Sequence, residues 1–452
     1  MRVLIVSNLY PPHYKGGYEI RCAQVAEALS SAGHGVAVLT SVYGLGTGFL
    51  GRPRRLREQM GGVPVHRTLY QHAYGPKPPG RPWTLFHGLR RMRDAQRFLQ
   101  LVGDFEPDVV YWWSMNGLSK TLLPLPARLG IPDVHWIEHP WMIGEYGVDG
   151  ELEEAFWNRL WKAEWGPEGS RRVLRRLLRR VEAMVRRRGL PTRRFPNEPT
   201  YACFVSHYLR DLYREAGIDF ASSQVIYGGV DAERFYLPLT EERWSATDAP
   251  LRVLYASQIT PNRGLHTVLK ALAGLDSGHR VRLSVAGGGP PAYVEEQRQR
   301  VRDLGLEGVV EFLGRLPHDE MPALHAGHDL LVLPTTRPEG LPLTMVEAML
   351  TGCAIVTTGA GGGREVAELA DLPMFAEHDA DGLRHHLVRL LEDRSELRRI
   401  GTRGQAVALE HFTFDAMMTE VEAMLERLIE QGRSATHGPR RHSSSVETSE
   451  AD

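Results

Sequence analysis

The sequence predicts an α/β protein that consists of two doubly wound domains, each built on a parallel sheet. Three observations predict this fold class. Apolar, strand-like segments alternate with helix-like segments through the first half of the chain, and the same alternation starts again at Leu251. A polar segment bounded by prolines, Leu237–Pro250, separates the two halves. Because such alternation is typical of parallel sheets with crossover helices, we expect two domains that face a central cleft.

The predicted elements follow the chain in order. In the first half the candidate strands are Arg2–Ser7, Gly35–Thr40, Val63–Arg67, Asp108–Trp112, Asp133–Ile137, Ala202–Ser206 and Gln224–Tyr227. Helical periodicity is clearest in Tyr18–Ala32 and Thr84–Val102. In the second half the candidate strands are Leu251–Ser257, Arg282–Ala286, Val309–Leu313, Asp329–Leu333 and Ala354–Thr358.

These elements predict a first domain at 1–236, a linker at 237–250 and a second domain at 251–411. A helical pattern follows at 412–431. The last residues, 432–452, are so poor in apolar side chains that we expect a disordered tail.

Composition limits the classes of function. The net charge of −1 over 452 residues makes the molecule as a whole a poor polyanion binder, so no nucleic-acid partner is expected. The three cysteines, Cys22, Cys203 and Cys353, show neither metal-ligand spacing nor a paired framework. No apolar run is long enough to span a membrane, and no signal peptide precedes the first strand. We therefore expect a cytoplasmic protein.

The segment Arg337–Met349 carries the most informative pattern. Glu339 lies in a loop broken by proline and glycine directly after a buried strand, and Glu347 follows at the predicted start of a helix. Parallel sheets bind ligands at the carboxyl ends of their strands, and helix N-termini favour phosphate there. Glu347 in a first helical turn could accept hydrogen bonds from ribose, and Glu339 from sugar hydroxyls. The alternative is an ordinary loop before a helix with an acidic first turn.

This pattern, Glu-Gly-x-Pro-x-x-x-x-Glu-Ala-Met followed by Gly352–Thr357, resembles the nucleotide-sugar signature of the retaining glycosyltransferase family 4. The resemblance implies the GT-B fold, in which two Rossmann-like domains face a central cleft. It also implies that Glu339 holds the donor sugar and Glu347 the ribose. The segment that would line the sugar and phosphate consists of Gly340, Leu341, Pro342, Leu343 and Thr344.

Two further segments resemble donor-binding parts of the family. Gly16 and Gly17 follow the first strand, where the family carries a Gly-Gly that faces the donor phosphates and the acceptor. Gln258 and Arg263 stand where the family normally offers two cations to the diphosphate. Arg263 keeps a guanidinium for bidentate phosphate contacts, whereas the neutral Gln258 can donate only through its amide. Without the resemblance, these would be a plain strand-to-helix turn and a surface arginine.

At the end of the fifth candidate strand, Glu138 and His139 would point into the cleft. The family has a His or Asp near this position that touches the donor sugar. We prefer His139, but Glu138 stays an alternative, as does a purely structural role for the pair.

Glycine-rich turns complete the resemblance. They are Gly287–Pro290, Glu311–Gly314 and Gly361–Glu365. Together with the segments above they cover Leu251–Met424 almost without gaps, whereas the first half matches more loosely, as expected of an acceptor side. The turn Gly228–Phe235 is interpreted as structural, and in the family the helix at 412–431 crosses back to the first domain.

The resemblance implies transfer of a sugar from a nucleotide-diphosphate donor to an acceptor hydroxyl with retention of configuration. The predicted catalytic residues are Glu339, His139 and Arg263. No Asp-x-Asp stands at a strand end with supporting ligands, so we expect neither a metal nor another cofactor. The expected partners are a nucleotide sugar and an acceptor that the sequence does not identify.

Two alternatives stay open. A sugar-nucleotide epimerase shares this fold, but the two glutamates with seven residues between them argue against it. A non-catalytic nucleotide-sugar-binding protein is the other alternative, because Gln258 replaces a cation.

The segment Arg171–Arg194 is strongly basic. It carries eleven arginines against one acid, Glu182, which gives a net charge of +10. Its apolar residues fall at helical spacing and form one stripe with cationic flanks. One interpretation is a helix packed on the core with a solvated basic face. The other is contact with an anionic acceptor or with an anionic membrane, which would place the protein at the inner membrane face.

Overall fold

The computed structural model describes residues 1–14, 16–43, 56–70, 82–143, 180, 184, 201–218, 220–240, 249–275 and 280–437, with the backbone alone for 82–91 and 435–437. The basic segment Arg171–Arg194 therefore lies outside the described residues, apart from Arg180 and Met184. Most of the linker, 241–248, and the last residues, 438–452, also lie outside them.

The described strands alternate with helices as the sequence predicts. The strands are β1 (Arg2–Val6), β2 (Gly35–Ser41), β3 (Leu56–Met60), β4 (Val63–Leu69), β5 (Val109–Trp112), β6 (Asp133–Ile137), β7 (Tyr201–Phe204), β8 (Ser222–Val225), β9 (Leu251–Ala256), β10 (Val281–Ala286), β11 (Val310–Gly314), β12 (Leu330–Leu333) and β13 (Ala354–Thr357). Strand β8 begins and ends two residues earlier than predicted, and each of the other predicted strands agrees within two residues at both ends.

The helices of the described residues connect these strands. They are α1 (Gly17–Ser31), α2 (Pro82–Phe105), α3 (Leu125–Leu129), α4 (His207–Glu215), α5 (Ala232–Phe235), α6 (Leu265–Ala273), α7 (Pro291–Asp303), α8 (Met321–Ala326), α9 (Leu343–Leu350), α10 (Gly363–Leu369), α11 (Ala380–Glu392), α12 (Arg394–His411) and α13 (Phe414–His437). Short 3-10 turns occur at Lys120–Leu122, Pro261–Arg263 and His318–Glu320.

The contacts within the chain define two compact units. The first unit comprises Met1–His135, Gly147–Thr200 and Glu422–Asp452, and the second comprises Trp136–Tyr146 and Tyr201–Val421. The second unit thus contains a short segment from the middle of the first half of the chain. The domain boundaries expected from the sequence stay predictions.

The sheet of the first unit has the order β3-β4-β2-β1-β5-β6. All of these pairings are parallel except that of β3 with β4. Strand β1 lies between β2 and β5 and is buried at Val3, Leu4, Ile5 and Val6. Strand β3 was not predicted from the sequence, because Leu56–Met60 is polar and half-exposed, as an edge strand can be.

The C-terminal helix α13 contributes to the first unit from Glu422 onwards. There Arg433 forms a 3.0 Å ion pair with Asp108. The helix continues to His437, whereas the sequence led us to expect a disordered tail from residue 432.

The second unit contains a five-stranded parallel sheet in the order β11-β10-β9-β12-β13. The chain first winds outward from β9 to β11 and then returns to the other side of β9 with β12. The direction of winding therefore reverses between β9 and β12, and such a switch point forms a crevice at the carboxyl ends of the two strands. The inner strand β12 is a continuous, fully buried apolar run, as is typical of a parallel strand that is covered on both faces.

A second pair of parallel strands, β7 and β8, also belongs to this unit. The N–H of Val205, directly after β7, donates to the carbonyl of Ile137 at the end of β6. This hydrogen bond ties the segment that starts at Trp136 to the second unit.

Candidate active site

A pocket of about 220 Å³ lies at the switch point of the five-stranded sheet. The carboxyl ends of β9 and β12 and the N-terminal end of α9 surround it. Five residues predicted from the sequence line it together, Gln258, Arg263, Glu339, Pro342 and Thr344, and the other lining residues are Ala256, Ser257, Leu333, Pro334, Thr335, Thr357, Ala360 and Gly363. Segments that are up to a hundred residues apart therefore meet where the sequence predicted donor contacts.

Arg263 and Glu339 form an ion pair in this pocket. Nη1 of Arg263 lies 2.6 Å from Oε1 of Glu339, and the side chains are 12% and 29% exposed. Nε of Arg263 is buried and has no hydrogen-bond partner among the described residues. The guanidinium thus neutralises Glu339 and keeps unused donor capacity.

Hydrogen bonds from Tyr255 fix the loop that carries Arg263. The hydroxyl of this buried tyrosine donates to the carbonyls of Gln258 and Arg263, at 2.9 and 3.3 Å. Gly264 has a φ of 72°, and a Cβ there would come within 2.1 Å of the carbonyl oxygen of Pro334. The backbones after β9 and β12 therefore touch directly, which a residue with a side chain would prevent.

The loop that carries Glu339 is held between two other backbone segments. The N–H of Gly362 donates to the carbonyl of Glu339 at 2.8 Å. A Cβ on Gly362 would meet the carbonyl oxygen of Gly340 at 1.8 Å, and a Cβ on Gly340 would meet that of Glu138 at 2.3 Å. The three segments around Glu138, Gly340 and Gly362 are thus stacked backbone on backbone, with glycine at the contacts.

His139 follows Glu138 in this stack and is half-buried. Its carbonyl accepts from the hydroxyl of Tyr213 at 3.1 Å. Burial and then the charge of Arg337 lower the pKa of His139 to about 4, so the imidazole is neutral near pH 7. The carboxylate of Glu138 accepts from the indole N–H of Trp136 at 2.8 Å. The choice between Glu138 and His139 as the residue that touches the donor stays a prediction.

Glu347 lies deeper than the other predicted residues. Helix α9 begins at Leu343, so Glu347 belongs to its second turn and the predicted placement in the first turn is wrong. The helix starts earlier than predicted because Pro342 ends the loop. Proline is tolerated directly before the first helical turn. Glu347 is 7% exposed and does not line the pocket.

Two histidines hold the carboxylate of Glu347. Oε1 lies 3.2 Å from Nε2 of His318, and Oε2 lies 3.6 Å from Nε2 of His325. Burial by itself raises the pKa of Glu347, but the contacts with His318 and His325 outweigh it and lower the pKa to about 2. Neither histidine was predicted from the sequence, because no spacing pattern links them to a carboxylate on a later helix.

The remaining predicted residues differ in what they can offer. The side chains of Leu341 and Leu343 pack against the core of the second unit, so only their backbone could face a ligand. Gly16 and Gly17 belong to the first unit and are exposed. Gly16 precedes α1, and its N–H donates to the carboxylate of Glu19 at 3.0 Å. A Cβ on Gly17 would meet nothing within 4 Å.

Two other features are absent from the part of the chain that the structure describes. In that part no three or more His, Cys, Asp or Glu side chains are grouped so that they could hold a metal ion. No helix among the same residues is both long and apolar enough to cross a membrane.

Comparison with known proteins assigns both halves of the chain. The family model described as glycosyl transferases group 1 matches residues 240–407, and that of glycosyltransferase family 4 matches residues 15–234. The parallel sheets and the pocket at a switch point, together with these matches, define a GT-B glycosyltransferase fold. The chain belongs to glycosyltransferase family 4.

Individual relatives support the same assignment. A GDP-mannose-dependent alpha-(1-6)-phosphatidylinositol monomannoside mannosyltransferase of Mycolicibacterium smegmatis is 30% identical over 49% of this chain and 60% of the relative. An MMP alpha-(1->4)-mannosyltransferase of Mycolicibacterium hassiacum is 32% identical over 39% of this chain and 43% of the relative. The chain thus spans about 60% or less of the length of these two relatives.

A solved structure extends the likeness in fold to nearly the whole chain. The Anabaena protein HepE in complex with UDP superimposes with a TM-score of 0.66 at 18% identity, over 94% of this chain and 100% of that chain. The Rossmann-like organisation predicted from the sequence is therefore confirmed at the level of the fold.

Proposed function

We propose that the chain is a retaining glycosyltransferase, which transfers a sugar from a nucleotide-diphosphate sugar to an acceptor hydroxyl. The observation that carries the proposal is the pocket of the second unit, in which Arg263, Glu339 and the N-terminal end of α9 meet. A guanidinium and the amides of a helix N-terminus bind phosphate oxygens, and a carboxylate beside them accepts from sugar hydroxyls. One pocket thus offers partners for both ends of a sugar-diphosphate bond.

We assign the roles along the donor as follows. Arg263 and the amide of Gln258 donate to the diphosphate, and the segment Gly340–Thr344 lines the phosphate and the sugar. Glu339 accepts from the sugar hydroxyls, and Glu347 accepts from the ribose. His139 is neutral near pH 7 and serves as a hydrogen-bonding group rather than as an acid. Gly16 and Gly17 approach the phosphates or the acceptor with their backbone.

The proposed step conserves the configuration at the anomeric carbon. The bond from that carbon to the diphosphate oxygen breaks, and the bond to the acceptor oxygen forms on the same face. The acceptor proton moves to an oxygen of the departing phosphate, so that no enzymic nucleophile is needed. Arg263 stabilises the negative charge that develops on the leaving group.

We also propose that the reaction needs no metal. Arg263, the Gln258 amide and the helix N-terminus would meet the charge of the diphosphate. Addition of a chelator should then leave turnover unchanged, and a loss of activity restored by Mg²⁺ would contradict this part of the proposal.

The relatives guide the choice of donor and acceptor. One of them is named as dependent on GDP-mannose and as acting on a phosphatidylinositol mannoside, and HepE was solved with UDP. GDP-mannose is therefore the first donor to test, followed by the UDP sugars. The acceptor class we propose is a glycan, a lipid-linked sugar or a small molecule with a free hydroxyl.

The basic segment Arg171–Arg194 is our candidate for contact with an anionic acceptor or with the inner face of a membrane, because of its net charge of +10. Co-sedimentation with anionic vesicles at low salt, lost when Arg175, Arg176, Arg179 and Arg180 become Gln, would support the membrane contact. Co-sedimentation of an equal amount of protein with neutral vesicles would contradict the membrane contact.

The proposed function is tested with a panel of UDP, GDP, TDP and ADP sugars. A donor bound above its dissociation constant should raise the melting temperature, and a transferase should also release nucleoside diphosphate by slow hydrolysis. Stabilisation without any release would favour a binding protein, and release of a 2-epimerised free sugar would favour an epimerase. If no donor of the panel stabilises the protein or is cleaved, the proposal fails.

A further inference from the structure

We infer that His318 and His325 are positioning residues, which orient the carboxylate of Glu347 so that it can accept hydrogen bonds from the ribose of the donor. The inference rests on the proposed function, because it concerns the ribose role of Glu347. It adds two residues to the site that no motif of the sequence marks.

Each oxygen of the Glu347 carboxylate faces a different imidazole. His318 lies 3.2 Å from Oε1, and His325 lies 3.6 Å from Oε2. With one imidazole at each oxygen, rotation of the carboxylate about its own axis would break both contacts. Each carboxylate oxygen accepts more than one hydrogen bond, so acceptor capacity is left for two neighbouring hydroxyls.

Glu347 and His325 are both buried. Glu347 is 7% exposed and His325 is 0% exposed, so both polar groups are removed from water. Neither ring nitrogen of His325 has a partner within hydrogen-bond distance among the described residues. Its contact with Glu347 is therefore the interaction that explains an imidazole at this depth. The contacts with the histidines also keep the pKa of Glu347 low, so that its carboxylate is ionised at neutral pH.

A phenylalanine supports both imidazoles from behind. The ring centroid of Phe235 lies 5.8 Å from that of His318 and 6.4 Å from that of His325. Phe235 ends the short helix α5, whose start is capped by Asp231, which accepts from the N–H of Arg234 at 3.3 Å. The turn that the sequence analysis interpreted as structural thus packs against both groups that hold Glu347. Outer contacts of this kind fix the geometry of a binding group.

His318 is the residue to change, because its side chain is 52% exposed and a substitution should not disturb the core. We compare His318→Leu, which removes the ring N–H that donates to Glu347, with His318→Gln, whose amide N–H can donate at a similar distance. His385→Leu is the matched control, since His385 is exposed on α11 and distant in sequence from the pocket. Calorimetric titration of the full chain with UDP, GDP, TDP and ADP gives the affinities.

We expect His318→Leu to weaken binding of the preferred diphosphate about tenfold, the effect of one lost hydrogen bond to a charged group. His318→Gln should bind within about threefold of the wild-type protein, by the same reasoning. His385→Leu should bind as the wild-type protein does. For a nucleotide sugar that the protein cleaves, His318→Leu should raise KM while kcat changes little, because ribose contacts contribute to binding rather than to the chemical step.

A double substitution separates positioning from a merely structural effect. If His318 acts through Glu347, His318→Leu should have no further effect on affinity in a protein that already carries Glu347→Gln. The same loss in both backgrounds, or wild-type affinity of His318→Leu, would overturn the inference while the proposed function stands. If the wild-type protein binds none of the four diphosphates, the proposed function and the inference fail together.

Discussion

The guanidinium of Arg263 and the carboxylate of Glu339 form a 2.6 Å ion pair that joins the loop after β9 to the loop after β12. The pair neutralises the two charges that line the pocket, so a bound diphosphate would have to draw Arg263 toward itself. Glu339 would then lose a partner and gain acceptor capacity for sugar hydroxyls. The pair therefore couples the two ends of the proposed donor.

The proposed roles predict different effects for the isosteric substitutions that remove the charge of each glutamate. Glu339→Gln should lower kcat more than donor affinity, because its contacts orient the reacting sugar. Glu347→Gln should mainly weaken nucleotide binding, by about 1–3 kcal/mol. Calorimetry combined with steady-state kinetics distinguishes the two patterns. Wild-type binding and full turnover in both variants would contradict the assigned roles.

Arg263→Ala should be nearly inactive, because the diphosphate loses its guanidinium and Glu339 its partner. In a double-substitution cycle with Glu339→Gln, we expect a coupling of about 0.5–3 kcal/mol in donor binding. The effects should simply add if the ion pair has no influence on the donor. A normal rate from Arg263→Ala would locate the diphosphate elsewhere.

Gln258→Arg should be tolerated and should tighten donor binding, because Gln258 is exposed at the pocket and the change adds a phosphate-binding cation. The matched control is Gln299→Arg, which adds the same charge on the exposed surface of α7. Donor titration at two salt concentrations measures the effect. Equal tightening in both variants would indicate a general effect of net charge rather than a contact with the donor.

Two glycines allow packing to be separated from function. Gly340→Ala should lower the free energy of unfolding by about 2–4 kcal/mol, because its Cβ would overlap the carbonyl of Glu138. Gly17→Ala should leave the melting temperature unchanged or slightly raised, since its Cβ has open space at the start of a helix. If the backbone of Gly17 approaches the donor or acceptor as proposed, the same variant should lose about tenfold or more in kcat/KM.

Gly308→Ala is the control for both glycine variants, because a Cβ there also meets nothing within 4 Å. Thermal unfolding and steady-state kinetics are measured on all three. Full activity of Gly17→Ala would remove Gly17 from the proposed site, and an undisturbed melting temperature of Gly340→Ala would contradict the stacked backbones.

Acid should weaken the protein through Glu347. Its pKa of about 2 in the folded state lies below the ordinary 4.5, so the unfolded chain binds more protons between these pH values. The contribution of the ionised Glu347 to the free energy of unfolding is complete above pH 4.5 and is lost as the pH falls toward 2. It amounts to about 3 kcal/mol. Urea unfolding should therefore show a gap between the wild-type protein and Glu347→Gln that shrinks from pH 5 to pH 3, and a constant gap would argue against the low pKa.

The parallel sheets could be predicted because buried strands such as Leu330–Leu333 are continuous apolar runs, and the turns after them contain glycine and proline. The meeting of Arg263 with Glu339 at one pocket could be anticipated from the ends of their strands. By contrast, His318 and His325 reach Glu347 only because the turn His318–Glu320 and helix α8 pack beside α9, which no local pattern encodes. The polar edge strand β3 was missed for a related reason, since its pairing with β4 and not its own composition makes it a strand.

The stacked backbones of Glu138, Gly340 and Gly362 have a consequence for dividing the chain into fragments. The structure that holds Glu339 includes residues from Trp136–Tyr146 and from Tyr201–Phe235, which precede the linker. Glu365 also accepts from the N–H groups of His207 and Tyr208, at 3.0 and 2.5 Å, so the start of α4 is fastened to the same region. A fragment cut at the linker and beginning at Leu251 would expose these glycines and leave Glu365 without those donors. Separate expression of the donor half should therefore succeed only when the two preceding segments are supplied with it.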